Sequence, residues 1–329
     1  DEIKKIVVDT REYDPVSENL QKVTQVEYLL LYDVCYSNPN GDPSDGNRPR
    51  FDEYSRKVLV SDVRLKRTVR DYILNRYKGK YKEKPGFDIY VRPADDGSKI
   101  TQTERCESLG GSKEKVLEKC VDARLFGATG AIKSDKKTKK DKKEEQENVS
   151  EVEETNEGAF QITGALQFGF GMSLNKVEIK DVKGTSIFTS KKGNEQGTFR
   201  DEAIVPYALI AFSGVLNSNT AKINQVKPED VHIFEEALWS GTKQLNTRSK
   251  YGQIPRLLLA IRYKDDYQIG RLHSLIKIKP TNTDNPEWEM AIREPNEYLV
   301  DLNELIAKIS AAKKHIECIE ICADGLTFA

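Results

Sequence analysis

The chain has 329 residues, 37% hydrophobic and 32% charged, and its 52 lysines and arginines balance 53 aspartates and glutamates to a net charge of -1. That length supports one large domain with insertions or two small ones. The balance excludes a globally basic nucleic-acid binder, so local charge patches carry the argument.

In chain order, residues 1–25 are polar and unpatterned and read as an N-terminal arm. Val26–Tyr36 (VEYLLLYDVCY) reads as a buried strand, rich in β-branched and aromatic residues. The SNPNGDPSDGNRPR stretch after it reads as a long loop. Ser61 is an N-cap candidate, and Asp62 suits the positive end of a helix. Leu65, Val69, Tyr72 and Ile73 then fall on one helical face, with Arg64, Arg67 and Arg70 well away from it and Lys66 at its margin. Residues 133–157 run from lysine-rich to glutamate-rich and read as a disordered charged insertion. Gly158–Asn175 interleaves glycine with aromatics, as in a strand with close backbone approach. Residues of about 174–202 alternate weakly around glycines and fit a projecting β-hairpin. Ala203–Val215 and Ile254–Tyr263 are further apolar strands. Pro228–Gly241 and Asp301–Lys314 are helical, and a weak strand follows at Ile316–Ile321. The order predicts an α+β domain over residues 26–329, with an antiparallel sheet, helices and insertions.

The catalytic inventory is thin. Of three histidines, His232 falls in a predicted helix and His273 near strand-like sequence, and no GxSxG, HExxH or phosphate-cradling glycine loop occurs. Asp33, Asp42, Asp45 and Asp52 are the candidate carboxylates for a metal-assisted nuclease. In a Pro/Gly loop, however, Asp and Asn ordinarily make turns. Cys318, Cys322 and His315 lack a fourth zinc ligand at a usual spacing, so neither metal nor cofactor is expected. Five cysteines without a CxxC spacing fit a reducing, cytoplasmic setting. No apolar run approaches the roughly 20 residues of a membrane span, and no signal-peptide pattern opens the chain.

The positive signal is charge density. Arg48, Arg50, Arg56, Lys57, Arg64, Lys66, Arg67 and Arg70 face only Asp52, Glu53 and Asp62 over residues 48–70. A loop feeding a cationic helix N-terminus suits phosphate, and arginine forks match its oxygens bidentately. Lys191, Lys192 and Arg200 in the hairpin, and Arg248, Lys250 and Arg256 around Tyr251, are two weaker groups.

The run NPNGDPSDGNRPRFDEYSRKVLVSDVRLKRTVRDYI (Asn38–Ile73) closely resembles the opening of the Cascade backbone subunit family of type I CRISPR systems, in the RAMP superfamily. DARLFGA (Asp122–Ala128), TGALQFGFGMSLN (Thr163–Asn175) and FRDEAIVPYALIAFSG (Phe199–Gly214) resemble further family elements. The resemblance implies a modified RRM-like (ferredoxin-like) palm with a β-hairpin thumb. It implies a non-catalytic subunit that oligomerises helically along CRISPR guide RNA with other Cascade subunits. Target DNA is then read by guide pairing, without a membrane. Matched to family positions, Ser61, Lys66, Arg67 and Arg70 lie on the helix that grips guide phosphates. Asn47, Arg48 and Arg50 lie on the loop before it, and Gln167, Ser173 and Asn175 precede the thumb. Lys250 joins the RNA-binding set, and Ile187, Phe188, Lys191 and Lys192 are the thumb candidates, the first two as wedges that unstack a base. The alternative is a RAMP-type endoribonuclease acting through the loop aspartates or His232 and His273.

Overall fold

The computed structural model describes residues 10–12, 14–15, 22–77, 86–131, 158–185, 199–281 and 284–329. They fold as two compact units: Asp1–Asn75, Leu166–Ser218 and Lys227–Ala329 form the first, and Arg76–Ala165 with Asn219–Val226 form the second. The 133–157 insertion and the thumb candidates Ile187, Phe188, Lys191 and Lys192 lie outside the described residues.

The chain opens with β1 (Thr10–Glu12), β2 (Val26–Ser37), β3 (Gly41–Asp42), β4 (Arg48–Pro49), β5 (Phe51–Asp52) and β6 (Lys57–Val60), then α1 (Asp62–Tyr77). The second unit follows with α2 (Gln102–Leu109), α3 (Lys113–Lys119), α4 (Val121–Phe126), β7 (Gly127–Ala131) and β8 (Ala159–Thr163). Next come β9 (Leu166–Phe168), β10 (Gly171–Ser173), β11 (Lys180–Thr185), β12 (Phe199–Leu216), α5 (Ser218–Ile223) and α6 (Pro228–Glu236). The chain ends with β13 (Ile254–Tyr263), β14 (Lys277–Pro280), α7 (Trp288–Ala291), β15 (Tyr298–Asp301), α8 (Asn303–Ala312) and β16 (Ile316–Ala323).

In the first unit a ten-stranded sheet runs β1-β16-β13-β2-β12-β10-β6-β5, with β9 and β11 also paired to β12. Every named pair is antiparallel except β1 with β16. β2 sits between β12 and β13 and is buried without a break from Val26 to Val34. Burial on both faces explains why its sequence is an apolar run rather than an alternation. Leu29 and Leu31 face a core with Leu209, Leu259 and Ile261, capped by Leu305, Ile309 and Ala312 of α8. The opposite row carries Tyr28 and Tyr32, whose rings meet Phe234 at 5.4 Å and Phe212 at 6.2 Å.

α1 is the predicted helix. The Ser61 hydroxyl accepts from the Arg64 N–H at 3.3 Å, a cap worth about 1 kcal/mol. Leu65, Val69, Tyr72 and Ile73 are buried, each contributing about 1.5–3 kcal/mol. The predicted strand over Gly158–Asn175 is instead three short ones, β8, β9 and β10, with β8 in the second unit. Glycine explains the breaks and the contacts: a Cβ at Gly171 would overlap the Phe212 ring, and one at Gly214 would lie 2.5 Å from Phe168. The predicted loop at 37–50 contains the β3–β4 pair, and the lead-in segment supplies β1. The predicted helix over Pro228–Gly241 is α-helical to Glu236 and continues as a π turn, Ala237–Gly241. There a Cβ on Gly241 would crowd Tyr72 of α1 at 2.9 Å.

The second unit is helical with one hairpin. Thr101 and Glu104 form a reciprocal capping box on α2. Arg124, 1% exposed, donates to the Leu117 and Gly86 carbonyls, and the Asp122 carboxylate accepts from Tyr90 N and Val91 N. Among the described residues no helix is long and apolar enough to cross a membrane.

Candidate nucleic-acid interface

Three segments of the first unit meet where β2 ends and α1 begins. Asn38 N donates to Ser249 O at 3.0 Å, joining the end of β2 to the turn before β13. Asn38 Nδ2 donates to Asn47 O at 2.7 Å, and Ser61 Oγ donates to Asn40 Oδ1 at 3.3 Å. Lys250 Nζ donates to Asn38 O. The loop, the helix N-terminus and the 249–250 turn are thereby knitted together.

The cations gathered here differ sharply in how they are neutralised. Arg48 pairs with Asp181 of β11 at 2.5 Å, and Arg50 with Asp42 at 2.7 Å. Lys66 pairs with Asp62 at 3.0 Å, one turn back. Arg67 Nε donates to both oxygens of Asp71, at 2.7 and 2.8 Å. The group around Tyr251 divides: Arg248 pairs with Glu202 and Arg256 with Asp33, both at 2.7 Å. Arg64 and Lys250 are the exceptions. Both are half-buried, and neither has a carboxylate within ion-pair distance among the described residues. Burial pulls Arg64 below its ordinary value. Lys250 falls to about 8, through burial first and the Arg64 charge second. Two partly desolvated like charges in one neighbourhood are costly, although Asp71 and Tyr32 offset part of the cost at Arg64. An anion between them removes both costs, and a phosphodiester suits a guanidinium fork beside an ammonium.

Arg64 is the residue that the family-matched set missed. It stood in the charge count beside Arg67 and Arg70; Asp71, one residue beyond that count, makes its ion pair with Arg67 and acts on Arg64 only from farther off. Of the remaining candidates, Asn47 and Gln167 are exposed. Arg70 lies half-buried on α1. Ser173 and Asn175 are each 1% exposed and spend their side chains on backbone. Ser173 Oγ accepts from Val58 N and donates to Asn175 O. Asn175 accepts from Leu209 N and donates to Tyr207 O. Both therefore brace the root of the β11–β12 hairpin.

The candidate nuclease groups have other engagements. Asp33 is 3% exposed and bonded by Arg256; burial raises its carboxyl, with Arg256 opposing. The Ser44 hydroxyl and backbone hold Asp42 below the usual carboxylate range. Asp52 caps Tyr54 and Ser55. These are turn and ion-pair roles. His232 is buried in α6, and His273 shares its ring nitrogen with Ser213 Oγ at 2.8 Å.

A family model described as CRISPR-associated protein Cas7 matches residues 24–303. A curated relative, the CRISPR-associated protein Cas7 of Haloferax volcanii, is 28% identical over 317 residues, covering 91% of this chain and 86% of that protein. Among solved structures, a chain of a CRISPR RNA-guided surveillance complex aligns at a TM-score of 0.42 and 16% identity, over 75% of this chain and 72% of that one. A chain of a CRISPR RNA-guided surveillance complex, pre-nicking, aligns at 0.44 and 16%, over 75% and 80%. With the family match running from just before β2 to the first residue of α8, the chain belongs to the CRISPR-associated protein Cas7 family.

Proposed function

We propose that this chain is a cytoplasmic, non-catalytic backbone subunit of a type I Cascade complex. Its RRM-like palm and β11–β12 thumb hold CRISPR guide RNA, several copies lie along one guide beside other Cascade subunits, and the exposed guide pairs with target DNA. The observation that carries the reading is the half-buried Arg64 and Lys250 pair, with no carboxylate at ion-pair distance among the described residues, where the loop, α1 and the 249–250 turn meet. Such a pair grips phosphate irrespective of base, which is what a subunit repeated along a guide of any sequence requires. Lys66, Arg67, Arg70, Arg48 and Arg50 supply a secondary field, since the ion pairs of Arg48, Arg50, Lys66 and Arg67 must open to meet a phosphate.

Co-expression with a CRISPR array and its neighbouring genes, followed by native mass spectrometry, tests the reading. Many copies on one discrete guide RNA are expected. A monomer free of RNA, or one carrying mixed cellular RNA, contradicts it. Incubation with labelled repeat and target RNA, with and without Mg²⁺, tests the non-catalytic part. Specific scission that disappears in Asp33→Ala or Asp42→Ala overturns it.

A further inference from the structure

Two large aromatic side chains stand in solvent on the two segments that meet at the Lys250 turn. Tyr36 is 60% exposed and Tyr251 is 74% exposed. Each lies two residues from one end of the same hydrogen bond, Asn38 N to Ser249 O. Tyr251 directly follows Lys250, in a turn fixed by Lys250 N and Tyr251 N donating to Thr247 O at 3.0 and 2.8 Å. Tyr36 lies near the end of β2, four residues beyond Tyr32. Tyr32 is buried, and its hydroxyl neighbours Arg64.

Tyr36 also carries backbone strain. Its φ is +43°, in the left-handed region that bulky aromatics avoid. The β2–β12 ladder pairs Cys35 with Tyr207 and Ser37 with Val205. The residue between those two partners is Pro206, which has no N–H to offer. An isolated exposed tyrosine needs no explanation. A strained one is held in place by its surroundings, and such positions concentrate at binding sites.

We propose that Tyr36 and Tyr251 flank the Arg64–Lys250 pair as a stacking platform for one unpaired nucleobase of the bound strand. This rests on the RNA-binding reading and adds a second contact to it: the cations take a phosphate while an aromatic face takes the adjoining base. Stacking tolerates every base, because each has a π-face, so the platform adds affinity without sequence preference.

The test measures Kd by fluorescence anisotropy for the full chain on a labelled single-stranded RNA and on the same strand made abasic throughout. Tyr36→Leu with Tyr251→Leu weakens binding to the normal strand about tenfold and leaves the abasic strand unchanged. Tyr36→Phe with Tyr251→Phe retains wild-type affinity for both. Equal loss on both strands, or no loss on the normal strand, overturns the platform while leaving the RNA-binding reading intact. A wild-type chain that binds neither strand sinks both.

Discussion

Arg262 and Arg64 lie in the same unit and face opposite circumstances. Arg262, 5% exposed, donates to Glu320 at 2.6 Å and to both oxygens of Glu235 at 2.9 and 3.2 Å. Tyr28 adds its hydroxyl to Glu235 at 2.7 Å. Arg64 is half-buried on α1 with no carboxylate at ion-pair distance among the described residues and Lys250 as its electrostatic neighbour. The first charge is buried and satisfied, and it ties β13, β16, β2 and α6 together. The second is partly buried without an ion pair among the described residues, with Tyr32 and Asp71 as its favourable electrostatic neighbours. Burial with partners marks a brace, and burial without them marks a place for a ligand.

The largest expected effect is on the brace. Arg262→Met removes the guanidinium that bridges Glu235 and Glu320 and costs about 3–5 kcal/mol, read as a lowered midpoint in denaturant unfolding. A change below about 1 kcal/mol refutes the structural role. On the other side, Arg64→Ala weakens RNA binding by about 1.5–3 kcal/mol, roughly ten- to a hundredfold, because a charge-assisted phosphate contact is lost. Its unfolding free energy changes by less than about 1 kcal/mol, since Arg64 makes no ion pair among the described residues. A fall in stability without a fall in affinity collapses the distinction between the two arginines.

Lys250 sharpens it through pH. In the free protein its pKa is lowered to about 8, so it is charged at pH 7 and largely neutral at pH 9. A bound phosphate favours the charged form, so binding above pH 8 takes up a proton and affinity falls as pH rises from 7 to 9. Lys250→Met binds more weakly at pH 7 and loses that decline, and a variant declining as steeply as wild type excludes Lys250 from the site. The same depressed value means that the unfolded chain, with an ordinary lysine, binds more protons between about pH 8 and 10.5. This residue's contribution to stability therefore rises across that window. Arg67→Ala, whose partner Asp71 already neutralises it, weakens binding less than threefold. Asp71→Asn strengthens binding, because it frees a cation. If Arg67→Ala matches Arg64→Ala, pairing in the free protein does not decide which cation binds.

What could be read from the sequence follows the range of the interaction. β2, β12, β13 and α1 were legible because apolar runs and 3.6-residue spacing act locally, and Ser61 was legible as a cap because its partner is three residues away. The 158–175 region was misread as continuous because glycine spacing marks close approach without saying where a strand breaks. The site was half legible. The α1 cations stood out by density and Lys250 only within a weaker group, but pairing sorts them, and the partners are distant: Asp181 for Arg48, Glu202 for Arg248, Asp33 for Arg256. Ser173 and Asn175 looked like contacts because they are polar in a strand. Only the fold shows them turned inward onto Val58 N and Leu209 N.

The most direct test of the central claim is the salt dependence of RNA affinity for the full chain and for Arg64→Ala with Lys250→Met. Each phosphate contact to a single strand contributes about 0.7 to the slope of log K against log salt. The double variant should flatten that slope by about 1.4. An unchanged slope contradicts the account, for it means that Arg64 and Lys250 meet no phosphate.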